Sequence, residues 1–292
     1  MSEFIQLIVS GLSTGSIYAL AAVGFTLLWQ ASQTINFAQG EFVMVPAFFV
    51  LVLTVKMGLP VWLAMPLAVI LAVLILGALF KRLIVEPMFR HGTIPLVIAT
   101  IALGILLKEM VKEFYSPLGQ PFPSLFPQTV LKIGNASISV PDIANLIIAM
   151  GTIFALQLFL SGTRTGRSMQ ATAQNPDVAQ ILGVDIKRMV LYTFLINGAL
   201  AAIASILITP IYLAKFSNGE TLGLVAFIAA IVGGFNQIRG ALVGGLLLGV
   251  IDNLSAAYFS SEYRQALPML LLIVIILVRP QGLLGTAEGR TV

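Results

Sequence analysis

Cysteine is absent from this chain and histidine occurs once, at His91. The first absence excludes disulfides and thiol nucleophiles, and the two together leave no Cys/His set of the kind that holds zinc. His91 itself falls in a polar stretch and reads as a solvated loop residue. Charge is also scarce: Asp, Glu, Lys and Arg make up 10% of the 292 residues, while 58% are hydrophobic. Soluble domains carry about 25% charged residues, so this shortage decides the class before any motif is read. With a mean hydropathy of +1.00, the chain is an all-α polytopic membrane protein. Its basic balance, +4 with a pI near 9.5, would suggest nucleic acid in a soluble protein. Here the placement of arginine accounts for it, and no nucleic-acid partner is expected. The first residues carry Glu3 and no basic run, and the apolar stretch behind them is too long for a signal peptide, so it is expected to stay as a span.

A helix needs about 20 apolar residues to cross the hydrocarbon. Nine stretches approach that length, roughly 4–29, 42–57, 60–80, 94–112, 142–160, 189–213, 221–236, 240–258 and 265–279. The seventh and eighth are the least secure, because Gly233, Gly234 and Gly240 fit either a tight hairpin or a broken, re-entrant pair, which would leave eight crossings. The stretch 113–140, with Pro117, Pro121, Pro123 and Pro127, reads as irregular chain covering one membrane face. Its sequon at Asn135 means little without a glycosylating compartment.

The longest polar run between apolar blocks is 161–188. Within it Asn175 suits a helix N-cap, Pro176 the first helical position, Asp177 the positive end and Gly183 the stop. The expected product is a short exposed helix on which Val178, Ile181 and Leu182 share one face. That face can enter a groove on another protein, or it can pack on its own chain as an ordinary linker. If this run is cytoplasmic, the inward basic set is Lys81, Arg82, Arg90, Arg164, Arg167, Lys187, Arg188, Arg239, Arg279 and Arg290. Arg264, Lys56, Lys108, Lys112, Lys132 and Lys215 then lie outward, so the bias predicts an outer N-terminus and a cytoplasmic C-terminus.

The chain also repeats itself. Phe37-Ala-Gln-Gly-Glu41 recurs as Phe216-Ser-Asn-Gly-Glu220, Ala47-Phe48 as Ala226-Phe227, and Ala19-Leu-Ala-Ala-Val23 as Ala199-Leu-Ala-Ala-Ile203. The whole of 1–292 thus reads as one transmembrane domain. Repeat one covers about 4–112, the linking span 142–160 and the polar loop 161–188 follow, and repeat two covers about 189–280. Five spans separate the two starts, an odd number, so the copies are inverted and suit alternating access.

The Gly-Glu corners are the candidate pathway elements: Gly40, Glu41, Gly219 and Glu220, with the amides of Asn36 and Gln39 beside the first. A capping account competes, in which each glycine ends one helix in a left-handed cap and each glutamate favours the start of the next. Asn197, Asn236, Gln237, Asp252 and Asn253 read first as interhelical hydrogen-bonding groups. Gly11/Gly15, Gly240/Gly244 and Gly245/Gly249 have the spacing that lets helices approach closely. Gly162-x-x-x-Gly166-Arg-Ser lacks the four-residue gap and the lysine of a phosphate loop, so no ATP site is encoded. No histidine stands in register with a serine, and an intramembrane protease is unsupported.

Taken together, Gly15-Ser-Ile-Tyr-Ala-Leu, Ile35-Asn-Phe-Ala-Gln-Gly-Glu41, Gly166-Arg167, Asn175-Pro176, Gly183, Ala229-Ala-Ile-Val-Gly-Gly234 with Gly240, and Pro280-Gln-Gly-Leu-Leu-Gly285 resemble a known family over nearly the whole chain. It is that of the H-type permease subunits of bacterial ABC importers for branched-chain amino acids. The resemblance implies that Gly166, Arg167, Asn175, Pro176, Val178, Ile181, Leu182 and Gly183 form the loop that couples to an ATPase. It also implies a second permease of similar fold, two cytoplasmic ATPase subunits that use ATP, a periplasmic solute-binding protein, and a site in the bacterial inner membrane among its lipids. No cofactor is expected on this chain itself. Many members carry histidine where Gln39 stands, and members with similar motifs carry urea, short amides or other amino acids. An ion-coupled secondary transporter and a passive solute channel remain the competing readings.

Overall fold

The protein is described here by a computed structural model covering residues 2–33, 35–89, 91–133, 136–258 and 266–285. The chain opens with α1 (Ser2–Ser32) and α2 (Gln39–Leu51), the latter running on through a π-helical turn to Lys56. Next, α3 (Val61–Ala72) continues through π-helical turns, Val73–Leu79 and Lys81–Val85, into α4 (Glu86–Phe89), and α5 (Thr93–Phe114) follows. A hairpin of β1 (Val130–Ile133) and β2 (Ala136–Ser139) precedes α6 (Val140–Gly162), α7 (Arg164–Gln174) and α8 (Pro176–Ile181). The second half contains α9 (Ile186–Tyr212), α10 (Asn218–Gly233), α11 (Ile238–Tyr258) and α12 (Ala266–Val278).

Among the described residues, seven helices are long and apolar enough to cross a membrane, and two apolar ones, α10 and α12, are shorter. The sequence reading is corrected here in one respect, since the short pair is the seventh and ninth stretches. The eighth, α11, has 21 residues. Between α10 and α11 the chain makes a tight hairpin. Gly234 takes φ +117°, and a Cβ on Gly240 would stand 2.8 Å from the carbonyl carbon of Gly233. Only hydrogen side chains let the two helices leave that turn so close together.

The 113–140 stretch is also more ordered than expected. Val130-Leu-Lys-Ile and Ala136-Ser-Ile-Ser pair antiparallel, Val130 opposite Ser139 and Ile133 opposite Ala136, because β-branched residues favour a pleated surface. Before the hairpin, Gln120 and Ala214 exchange backbone hydrogen bonds of 2.9 Å and tie the stretch to the end of α9. Asn135 of the sequon lies outside the described residues, as do Arg90, Arg264 and Arg290.

The molecule has two distinct ends. At one, the hairpin packs on α1, and Lys56 stands over the Tyr115 ring. At the other, the arginine end with Arg164, Arg167 and Arg239, α7 packs on α1 and α9, and Gln30 donates to the Asn236 carbonyl at 2.7 Å. The chain after α12 returns to that second end, where the Leu283 and Leu284 amides donate to Val232 and Gly233. Helix α1 therefore begins at the hairpin end, and the last described residues lie at the arginine end. Helix α9 runs the opposite way to α1, as an inverted repeat requires.

Packing repeats the symmetry. A Cβ on Gly15 of α1 would lie 2.9 Å from Leu246 Cα of α11, and one on Gly77 3.0 Å from the Phe194 carbonyl oxygen of α9. The first helix of each copy is thus seated by small residues on the third helix of the other. Such contact replaces the hydrophobic driving force that lipid does not supply between helices. The core gathers on α1, α2, α9, α10 and α11, with Leu20, Phe42, Ile208, Ile228 and Leu248 fully buried. Helices α5, α6 and α12 keep large apolar residues exposed, among them Ile105, Phe154 and Leu277.

Candidate functional site

Both repeated corners follow a long helix that ends in an unusual residue. Gln33 after α1 takes φ +50° and Leu213 after α9 takes φ +63°, so the chain reverses there. The positive-φ residues that end the two helices are these, and the expectation that Gly40 and Gly219 would end them in left-handed caps is corrected. Those glycines lie in the first turns of α2 and α10, where they serve close approach. A Cβ on Gly40 would strike the Gly219 backbone, and one on Gly223 would lie 2.8 Å from Gly40 Cα. The two short helices therefore start against each other. From that shared origin α2 leads to the hairpin end, where Leu53 and Leu59 pack near Phe122, and α10 leads to the arginine end. Two helix starts meeting inside a bundle concentrate unpaired backbone N–H groups and positive dipole ends.

The carboxylates sit where that field favours them. Glu41 and Glu220 occupy the first turns of their helices, and the Glu41 carboxylate faces Gly219. Lys108, reaching over from α5, forms an ion pair with Glu220. It stands in the last two turns of α5, toward Tyr115 and the hairpin end. Glu220 is 63% exposed in this pair, whereas Glu41 is buried. The signal that could have found the ion pair was the charged last third of α5, where Lys108, Glu109, Lys112 and Glu113 follow an uncharged run.

The amides divide. Gln39 and Asn197 form a reciprocal pair, Gln39 Nε2 donating to Asn197 Oδ1 at 2.8 Å and Asn197 Nδ2 to Gln39 Oε1 at 3.0 Å. Both side chains are fully buried, and Gly24 leaves room for the Asn197 amide. Gln39 is thus a joint between α2 and α9. Asn36 Oδ1 accepts from the Ala38 amide at 3.1 Å and shapes the turn into α2, while its buried Nδ2 has no hydrogen-bond partner among the described residues. Of the other polar residues, Asn253 donates to the carbonyl of Gly249 in its own helix and, among the described residues, joins no second helix, unlike the interhelical bond expected of it. Asp252 does, accepting from Tyr18 Oη at 3.0 Å.

Asp252 and Glu220 line one cavity of about 440 Å³, together with Tyr18, Tyr212, Lys215, Asn218 and Thr221 on its polar side. Leu222, Val225, Ile228 and Leu248 form the apolar side. Sequence alone did not join Tyr18 to the second corner, because it comes from α1, whereas Tyr212 and Lys215 lie just before that corner in the chain. A second cavity of about 630 Å³ at the arginine end is rich in amides, including Gln30, Gln157, Gln170, Asn236 and Gln237.

The polar run 161–188 contains two helices where one was expected. Thr163 caps α7 by accepting from the Gly166 amide at 2.9 Å, and Gly166, Met169 and Thr172 recur every third residue on its buried face. Gly166 presses on Phe159 and Leu160 of α6 so closely that a Cβ would not fit. Arg167 follows it on the same helix. Helix α8 has the expected ends. Asn175 Oδ1 accepts from the Val178 amide at 3.1 Å, Pro176 opens the helix, and Gly183 takes φ +84° behind it. Val178, Ile181 and Leu182 stand 50%, 84% and 75% exposed.

Known proteins resemble this chain over its length. Residues 7–276 match the family model described as branched-chain amino acid transport system / permease component. The high-affinity branched-chain amino acid transport system permease protein LivH of Salmonella typhimurium is 33% identical over 99% of this chain and 98% of its own length. LivH of Escherichia coli K12 has the same identity and coverage. So does the permease protein BraD of Pseudomonas aeruginosa, at 33% over 99% of this chain and 98% of its own.

Proposed function

The chain belongs to the family of branched-chain amino acid transport system permease components, and from that premise we propose how it acts. It is the permease subunit of an ABC importer, a multi-pass membrane protein that works with other subunits. In our reading it is paired with a second permease of similar fold, two cytoplasmic ATPases and a periplasmic binding protein, in the bacterial inner membrane. The arginine end is cytoplasmic. The solute is a branched-chain amino acid, and the cavity of Tyr18, Glu220 and Asp252 suits one, because polar groups for an ammonium and a carboxylate stand opposite Leu222, Val225 and Leu248.

The observation that carries this reading is the ion pair of Lys108 and Glu220. It lies where α2, α5 and α10 meet, two of them long apolar spans, yet the Glu220 side chain is 63% exposed. A carboxylate presented to hydrocarbon is costly, so this face borders a wet path completed by the second permease. Motion reaches it from α8, whose apolar face docks on the ATPase. Helix α8 adjoins α9 directly and through α7, and α9 carries Asn197, which holds Gln39 at the start of α2. Because glycines alone separate α2 from α10, the two helix starts slide past each other as the halves reorient.

The test is reconstitution of the chain with the subunits that co-purify with it, followed by uptake of labelled leucine with and without ATP. Uptake should require ATP, and Lys108→Gln should lower it at least about tenfold while the complex still assembles, since Glu220 is left unpaired on the path. Undiminished uptake by that variant would remove the ion pair from the path. Leucine movement by the chain alone along an ion gradient would replace the importer with a secondary transporter.

A further inference from the structure

A recess of about 670 Å³ lies at the arginine end, between the end of α3, the start of α9 and the turn before α5. Lys81, Arg82, Lys187 and His91 line it, with Glu86 the one carboxylate among its lining residues and Val85, Pro87 and Val190 completing its wall. Lys81 is buried and bonded to Glu86, which consumes one positive charge, whereas Arg82 and Lys187 are exposed. The recess therefore keeps an excess of two positive charges, leaving His91 aside. It also adjoins the end of an apolar span. Lys81 and Arg82 directly follow the apolar residues of α3, and Leu79, Leu83 and Ile94 beside them are exposed.

We propose that this recess binds the phosphodiester headgroup of an anionic glycerophospholipid. Arg82 and Lys187 engage the phosphate oxygens, and the acyl chains lie along Leu79, Leu83 and Ile94. A phosphodiester carries one negative charge and is held at the bilayer surface by its acyl chains, so two exposed cations beside an apolar span match it. The exposed apolar side chains of Leu79, Leu83 and Ile94, close in sequence to its lining, favour lipid over a soluble phosphate. The recess is separate from the exposed face of α8, and this assignment does not depend on the transport reading.

Native mass spectrometry on the full chain, delipidated and then offered phosphatidylglycerol and phosphatidylethanolamine in equal amounts, tests it. Phosphatidylglycerol should be retained about tenfold over the zwitterionic lipid, the R82Q/K187Q variant should reduce the ratio to near one, and Lys187→Arg should preserve it. Equal retention of the two lipids by the unsubstituted chain, or an unchanged ratio in the double variant, overturns the proposal. So does displacement of the lipid by inorganic phosphate at matched concentration, which would make this a soluble phosphate site. Loss of the lipid when the complete transporter assembles would assign the recess to a partner protein instead. A double variant that fails to fold is recognised by its elution in detergent, and the single Lys187→Gln substitution, expected to lower the ratio partway, then decides.

Discussion

At the scale of single residues, the amide pair of Gln39 and Asn197 separates packing from function. Each partner satisfies the other in a fully buried place, so Gln39→Leu leaves the Asn197 amide without a donor or acceptor. That should lower stability in detergent by about 1 to 3 kcal/mol, the cost of one unsatisfied buried group. Replacing both, Gln39→Leu with Asn197→Leu, should cost less than the sum of the two single changes. Thermal unfolding of the four proteins measures this, and additive losses would mean that the amides are not coupled. The sequence identified both residues as polar groups within or near spans, but it could not pair positions 158 residues apart. Nor did it reveal Lys108 as the partner of Glu220, because nothing local links α5 to α10.

Helix α8 is where local chemistry was most legible. Its cap, first proline and terminal glycine act within a few residues of one another, and each is found in the place its side chain dictates. Leu182→Asp puts a charge on its exposed face without touching a membrane span. ATP-driven uptake should fall to background, while the amount of chain inserted in the membrane stays as before. Normal uptake would show that this face is not a docking surface. Helix α7 was missed because its apolar spacing is sparse, a glycine, a methionine and a threonine, and only contact with α6 makes that face a buried one. The hairpin of β1 and β2 was hidden for a similar reason, since four prolines nearby suggest irregular chain whatever the two short strands do.

For the whole molecule, the separation of a hairpin end from an arginine end makes orientation testable. The lack of native cysteine helps, because a single introduced thiol is then the sole reactive one. Lys132 on β1 and Gln180 on α8 are both exposed. Lys132→Cys should react with an impermeant maleimide added outside intact cells, and Gln180→Cys should react only after the membrane is opened. The reverse pattern would invert the proposed topology, with the N-terminus inside.

The sequence by itself determined the class, the nearly complete set of helices, the inverted repeat and the ends of α8. These follow from composition, apolar run length and capping, which act over one helix or less. Tertiary structure alone decided that Gly40 and Gly219 meet across the bundle, that Lys108 answers Glu220, and that Tyr18, Tyr212 and Asp252 share a cavity with Glu220. Those relations depend on how helices far apart in the chain cross. In a membrane, where most side chains are apolar on every face, crossing angles and partners are set by the few small and polar residues that meet at each seam, and their spacing in the chain does not name their partners.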